Sequence, residues 1–452
     1  MNSAQADAFY RSLSDRTVQY GERPLDPGRR VAIEVSPDYL ATKPGQAALI
    51  VTADLLSRMV RQVNLAFPDA AFHAAFGGPF RGSLHDGLIG RMKAVAPPGG
   101  FVAEPITQAD YVVRLGSDGR RWVAHGVDWS VYVGPGPSPL APPQTDNIFG
   151  ASHAAITAVA QLFGGRFPDM IEPRLADLLT LTSAAGANPI FAPAGSELGT
   201  IWFVGCGSVG SAIAYFLALA GYRFTAVLFD KDIVKIENLD RSPIFTFDDQ
   251  THPKVESVAR FLRQFGIAAE PEPHWLDESA VWKGRQAGTP DIIVAAANER
   301  DVRYQIESQF PAIQIYGTTG KDWQANIFRH VPVDPCSCCA FPPAAHRETG
   351  CAEGEAPSPI AAEKTVDAAL PFLSFGAGLL AAAEISKLVL PGFPFSGSRG
   401  FFTPLAEEIL YTRPFKRRDE CVCAGRNRTV HRKMVAGTRY APLYHLDPAV
   451  EV

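Results

Sequence analysis

Cysteine is absent from the first 205 residues, and only seven occur in the 452-residue chain. That scarcity excludes a disulfide framework of the kind that staples small secreted domains. No apolar run reaches the roughly 20 residues that span a bilayer. The N-terminal "MNSAQADAFYRSLSDR" lacks the apolar stretch of a signal peptide. An excess of basic charge is missing too: 42 Lys and Arg face 47 Asp and Glu, a formal charge of −5. A protein built mainly to hold nucleic acid favours a basic surface. The expectation is therefore a cytoplasmic protein with neither a membrane nor a nucleic acid as its principal partner.

What is present is the composition of a soluble globular protein, 46% hydrophobic and 20% charged. The length exceeds what one hydrophobic core ordinarily organises, so two domains are expected. A boundary is placed near residue 195, after the loop-like "NPIFAPAGSEL". Beyond it strands and helices alternate. "TIWFVG" reads as a strand, "SVGSAIAYFLALAG" as a helix closed by Gly221, and "FTAVLFD" as a second strand. "THPKVESVARFLRQFG" reads as an amphipathic helix closed by Gly266, and "PDIIVAAA" and "AIQIYGT" as further buried strands. Such alternation predicts an α/β fold with a Rossmann-like, mostly parallel sheet over residues 196–429. Residues 342–366, rich in Pro, Ala and Glu, read as a loop, and 430–452 as a C-terminal tail.

The first half, 1–195, contains an echo of the second. "DNIFGASHAAITAVAQLFGG" (146–165) shares an aromatic-Gly-Ala turn and an alanine-rich continuation with "PFLSFGAGLLAAAEISKL". Two readings stand: a degenerate copy of the C-terminal fold without its glycine-rich turn, or two helices alike through alanine content alone. His153 within this stretch reads as a packed histidine, and "DWSVYVG" as sheet core.

"FVGCGSVGSAIAYFLALAGYRFTAVLFDKDIVKIENLDR" (203–241) carries the chemistry. Gly205, Gly207, Ser208 and Gly210 form a strand-to-helix turn whose bare backbone N–H groups can approach an anion at a helix N-terminus. Asp230 ends the second strand, placed to accept hydrogen bonds from a ribose. By itself this is a dinucleotide fingerprint of low specificity. Asp232, Asn238 and Arg241 follow, and Lys254 heads the next helix. Two cations after a glycine loop suit a reaction in which negative charge grows on phosphate oxygens. Hydride transfer, which leaves its pyrophosphate intact, has no such need.

The run GCGSVG, then "LFDKDIVKIENLDR", then "PKVES" resembles the adenylating domain of the ubiquitin-activating (E1-like) superfamily, to which ThiF and MoeB belong, over residues 200 to about 425. The resemblance implies that the glycine loop and Asp230 hold the adenosine end of ATP, and that Asn238, Arg241 and Lys254 handle its phosphates. It implies a Mg2+ ion beside Asn298 and Glu299, although the family usually has Asp where this chain has Asn298. The family's Gln after the Arg is Ser242 here.

The remaining cysteines fall into two groups. "PCSCCAF" and "DECVCAG" offer Cys336, Cys339, Cys421 and Cys423 as a four-thiolate Zn2+ site, with Cys338 competing with Cys339 for one place. The resemblance implies such a site, although its second pair is usually CxxC rather than CxC. Cys351 stands alone in the 342–366 loop. In the resembling family this crossover loop carries the thiol that takes the acyl group from the adenylate.

The implied activity is that of an E1-like enzyme. It would adenylate the C-terminal carboxylate of a ubiquitin-like protein with ATP and Mg2+, capture it as a thioester on Cys351, and pass it to an E2-like protein. Bacterial antiviral conjugation operons are one context the resemblance suggests. Two alternatives are a sulfur-carrier adenylyltransferase of the ThiF/MoeB type and a nucleotide-binding scaffold with a decayed site. The assembly expected is either a homodimer or a single-chain pseudo-dimer whose first half is an inactive adenylation-like domain.

Overall fold

The computed structural model describes residues 3–14, 17, 25–106, 108–117, 122–166, 172–184, 186, 190–279, 290–297, 302–309, 311–320, 323–331, 334–340, 370–390, 399–436 and 438–444. Asn298, Glu299 and Cys351 lie outside them. The architecture is mixed α/β, with two mostly parallel sheets.

In the first half the strands are β1 (Arg30–Val35), β2 (Gln62–Leu65), β3 (Gly100–Val102), β4 (Tyr111–Leu115), β5 (Val123–Val127), β6 (Ser130–Gly134) and β7 (Arg174–Asp177). Their order across the sheet is β3-β2-β1-β4-β5-β6-β7. In the second half they are β8 (Glu197–Val204), β9 (Arg223–Phe229), β10 (Ala268–Glu272), β11 (Ile292–Ala295), β12 (Gln314–Gly320), β13 (Gln324–His330), β14 (Arg399–Phe402) and β15 (Leu410–Thr412). That sheet runs β10-β9-β8-β11-β12-β13-β14-β15. The two orders coincide strand for strand, with β15 added. In each the first five strands pair parallel and the later ones antiparallel. Helix Phe149–Phe163 follows β6 as helix Pro371–Lys387 follows β13, so the two alanine-rich stretches occupy equivalent places.

These two helices have no exposed face. All described positions of both are buried; they pack on each other, the second also on helix Ser208–Ala220 and the first on helix Lys43–Met59. Close approach needs small residues: a Cβ on Gly378 would stand 2.3 Å from the Cβ of Ala212. One hydrophobic core runs from Phe9 to Tyr440 through both halves, and a smaller one around Trp202, Phe229 and Tyr316 lies on the other face of the second sheet.

One expectation at the C-terminal edge needs correction. A tail from residue 430 would begin inside helix Arg426–Ala436, and Tyr440 is buried with its hydroxyl on the Leu198 carbonyl at 2.7 Å. Strand β10, with the sequence AAEPE, sits at the sheet edge, where Pro271 and half-exposed charges are tolerated. Among the described residues no helix is long and apolar enough to cross a membrane.

Candidate functional site

In the second sheet the chain moves outward from β8 through β9 to β10, then returns to the other side of β8 with β11. Open parallel sheets bind ligands beyond the carboxyl ends of the strands at such a reversal. Here a cleft opens, lined by Gly205, Gly207, Asp230, Asp232 and Lys254 together with Trp275, Leu276 and Val302.

The glycine turn is built from different constraints at each position. Gly205 has φ +97°, and a Cβ there would meet the Ala297 nitrogen at 2.7 Å. At Gly210 an added Cβ would lie 1.9 Å from the Gly205 oxygen. Gly207 is different: its backbone is ordinary, φ −73°, and among the described residues a Cβ would meet nothing within 4 Å. It caps helix Ser208–Ala220 and faces open space, so its lack of a side chain keeps the cleft clear. Ser208 is the first helical residue and is half-buried.

Asp230 organises this turn. Its Oδ2 accepts from the Cys206 N–H at 2.8 Å and its Oδ1 from the Asp232 N–H at 2.9 Å. Burial pushes its carboxyl above the ordinary aspartate value, against the opposing charge of Lys254 and the two backbone donors. The Cys206 thiol is pushed well up by burial and then by the Asp230 charge, so it is no nucleophile.

Lys254 begins helix Lys254–Gln264, a position where the helix dipole disfavours a cation. It is held there twice: its N–H donates to the Asp232 carbonyl at 2.9 Å, and its ammonium reaches Asp232 Oδ2 at 2.8 Å. Burial alone would raise Asp232; the hydrogen bond and charge of Lys254, with Lys231 and Lys235 nearby, hold it below the usual carboxylate value.

Asn238 and Arg241 are not among the residues lining the cleft. Asn238 closes a 3-10 turn by accepting from the Lys235 N–H at 2.9 Å. Arg241 donates to the Glu237 carbonyl at 2.6 Å and to Asp240 Oδ1 at 3.1 Å, its side chain 6% exposed. Sequence reasoning missed Trp275, which forms one wall, with the Lys231 ammonium 4.3 Å from its ring centroid. It also missed Val302 and Gln305, on the short helix Val302–Glu307.

The cysteine sulfurs converge. Those of Cys336, Cys339, Cys421 and Cys423 lie within 4.8 Å of one another, with Cys336–Cys421 at 3.3 Å and Cys339–Cys423 at 3.4 Å. Hydrogen bonding from Cys336 and then Cys421 holds the Cys339 thiol below the ordinary cysteine value. Four sulfurs at these separations suit a tetrahedral thiolate site for zinc. Cys338, buried beside them, stands outside the set. Glu307 braces the first pair: its Oε1 accepts from the Ser337 N–H at 3.2 Å and hydroxyl at 3.1 Å.

The ThiF family profile matches residues 198–421. The second half of the chain is a ThiF-family domain. Its superfamily is the E1-like one. The SAMP-activating enzyme E1 of Haloferax volcanii is 27% identical over 227 residues, 49% of this chain and 78% of that protein. The mouse adenylyltransferase and sulfurtransferase MOCS3 is 27% identical over 238 residues, 51% of this chain and 48% of its own length. The chain thus spans about half of the mouse relative. Escherichia coli MccB is 20% identical, with a TM-score of 0.38 over 50% of this chain and 65% of MccB.

At the corresponding end of the first sheet the ThiF-type turn is replaced. Ser36 and helix Pro37–Leu40 follow β1. Tyr39 is buried there, its hydroxyl donating to the Gly126 carbonyl at 2.8 Å and accepting from the Gly126 N–H. Ala66 and Phe67 follow β2 where Asp230 and Lys231 follow β9.

Proposed function

We propose that this chain is an ATP-dependent activating enzyme of E1-like type, joining one active and one inactive adenylation half. The observation that carries the reading is the set of Gly205, Gly207, Asp230 and Lys254 around one cleft of the ThiF-family domain. The glycine N–H groups and Asp230 hold the nucleoside end of ATP. Lys254, with Arg241 released from Glu237 and Asp240, draws charge from the phosphates. A carboxylate oxygen of the incoming protein attacks the α-phosphorus, the bond to the β-phosphate bridging oxygen breaks, and pyrophosphate leaves. Mg2+, when bound beside Asn298 and Glu299, neutralises phosphate charge. The Cys351 thiolate then attacks the acyl carbon and AMP departs, giving a thioester for an E2-like acceptor. Zn2+, when bound by Cys336, Cys339, Cys421 and Cys423, ties the two ends of the domain.

A buried Tyr39 just after β1, where the second half has its glycine turn after β8, and Ala66 in the place of an acid, support an inactive first half and a single-chain pseudo-dimer. The substrate proposed is a ubiquitin-like protein. The likeness to MOCS3 favours a second reading, activation of a sulfur-carrier protein; both readings share the adenylation step.

The test is intact-mass analysis and ATP–pyrophosphate exchange with small-protein fractions from the host. An ATP-dependent adduct removed by thiols and lost in Cys351→Ala supports the thioester. Exchange without an adduct favours the sulfur-carrier reading. No exchange with a partner known to bind refutes both and leaves a nucleotide-binding scaffold.

A further inference from the structure

The segment bearing Arg241 is fixed by the other half of the chain. Arg58, on helix Lys43–Met59, is 1% exposed. Its Nε donates to the Leu239 carbonyl at 2.8 Å, and its Nη2 to the carbonyls of Ser242 at 3.2 Å and Pro243 at 3.3 Å. Arg91, on helix Leu84–Val95, donates to the same Pro243 carbonyl at 2.9 Å and pairs with Asp54 at 2.6 Å. The other Asp54 oxygen accepts from the Tyr215 hydroxyl at 2.8 Å, on the helix that the glycine turn opens. Thr17 donates to Asp240 Oδ2 at 2.9 Å.

Two guanidinium groups buried around one carboxylate are a costly arrangement if stability alone is at stake. Burial draws Arg58 down to about 10, against the pull of Asp54. A planar fork reaching three carbonyls of one turn fixes a main chain in a way that a lysine, a single point of charge, does not reproduce.

We infer that Arg58 and Arg91 are positioning residues: they hold main chain 239–243 so that Arg241 is presented to the phosphates of a bound nucleotide. The first half of the chain, lacking a nucleotide turn of its own, thereby sets the geometry of the second. This rests on the assignment of Arg241 made under the proposed function.

The test is a double-substitution cycle on the full chain, with equilibrium binding of ATP and Mg2+ as readout. Arg241→Ala is expected to weaken binding about tenfold, the loss of one charge-assisted contact. Arg58→Lys keeps a charge beside Asp54 but not the fork, and is expected to weaken binding by about threefold or more. The double variant should bind no more weakly than Arg241→Ala. Hydrogen exchange at the amides of 239–242 should quicken in Arg58→Lys, a local change that general destabilisation does not give. Effects that multiply in the double variant, or unchanged exchange at 239–242, overturn the inference. If Arg58→Lys does not fold, Arg91→Gln, which leaves Asp54 paired with Arg58, gives the same cycle. A wild-type chain that binds no ATP brings down the proposed function with this inference; one that binds ATP with a multiplicative cycle brings down only the inference.

Discussion

Gly207 and Gly210 lie three residues apart in one turn, yet alanine at each should fail differently. A Cβ on Gly207 meets nothing within 4 Å among the described residues, and its φ of −73° is open to any residue. Alanine there lowers the entropy of the unfolded chain while making a poorer helix cap. The two effects are each under about 1 kcal/mol and of opposite sign. Urea midpoints should hardly move. If the turn receives a nucleotide, however, its N–H groups must come within about 3 Å of the ligand, and the new methyl group stands in that approach. ATP should bind at least tenfold more weakly, about 1.4 kcal/mol. Gly210→Ala puts a Cβ 1.9 Å from the Gly205 oxygen, a main-chain atom of a residue whose N–H is tied to the Phe229 carbonyl at 2.8 Å. Overpacking of that kind costs about 1–3 kcal/mol, so this variant should lose stability as well as ATP. Denaturation and equilibrium ATP binding on both variants decide the matter. Wild-type ATP affinity in Gly207→Ala would refute the placement of the nucleotide against this turn.

Lys254→Met removes an ion pair whose carboxylate is half exposed, so stability should fall by less than about 1 kcal/mol. Pyrophosphate exchange should drop by about 10²-fold if Lys254 draws charge from the transition state, and an unchanged rate removes it from the mechanism. His153 is fully buried, which lowers its pKa to about 3, and its Nε2 has no hydrogen-bond partner among the described residues. The unfolded chain takes a proton near pH 6.5 that the folded chain refuses, so stability is full above pH 6.5 and falls as the pH drops toward 3. By pH 5 the loss is about 2 kcal/mol, and it should shrink in His153→Gln when urea midpoints at pH 7 and 5 are compared. Chelation should release one zinc per chain, followed with a metal indicator, and Cys339→Ser should purify with less; Cys338→Ser should retain it.

Much of the second half was readable because local rules agree there. Helix Ser208–Ala220 ends at Gly221 with φ +92°, and Gly266 follows helix Lys254–Gln264 with φ +75°, both left-handed positions that glycine takes without strain. Strand β11, IIVA, is a short apolar run because a parallel sheet is covered on both faces. Strands β10 and β15, short and half-exposed, lack that signature. In the cleft, Asp230 and Lys254 stood out as charges next to a glycine turn. Trp275 did not, because an isolated tryptophan reads as core until a neighbour such as Lys231 is seen over its ring.

The sequence by itself determined the spacing of the glycine turn, the acid after the second strand and the two cysteine pairs, since each depends on residues a few positions apart. Only the tertiary structure decided that Cys339 rather than Cys338 joins the sulfur cluster, that both halves follow one strand order, and that Arg58 and Arg91 grip the segment of Arg241. Those facts join residues as much as 185 positions apart. No local periodicity encodes them; they follow from packing two sheets and their helices around one continuous core.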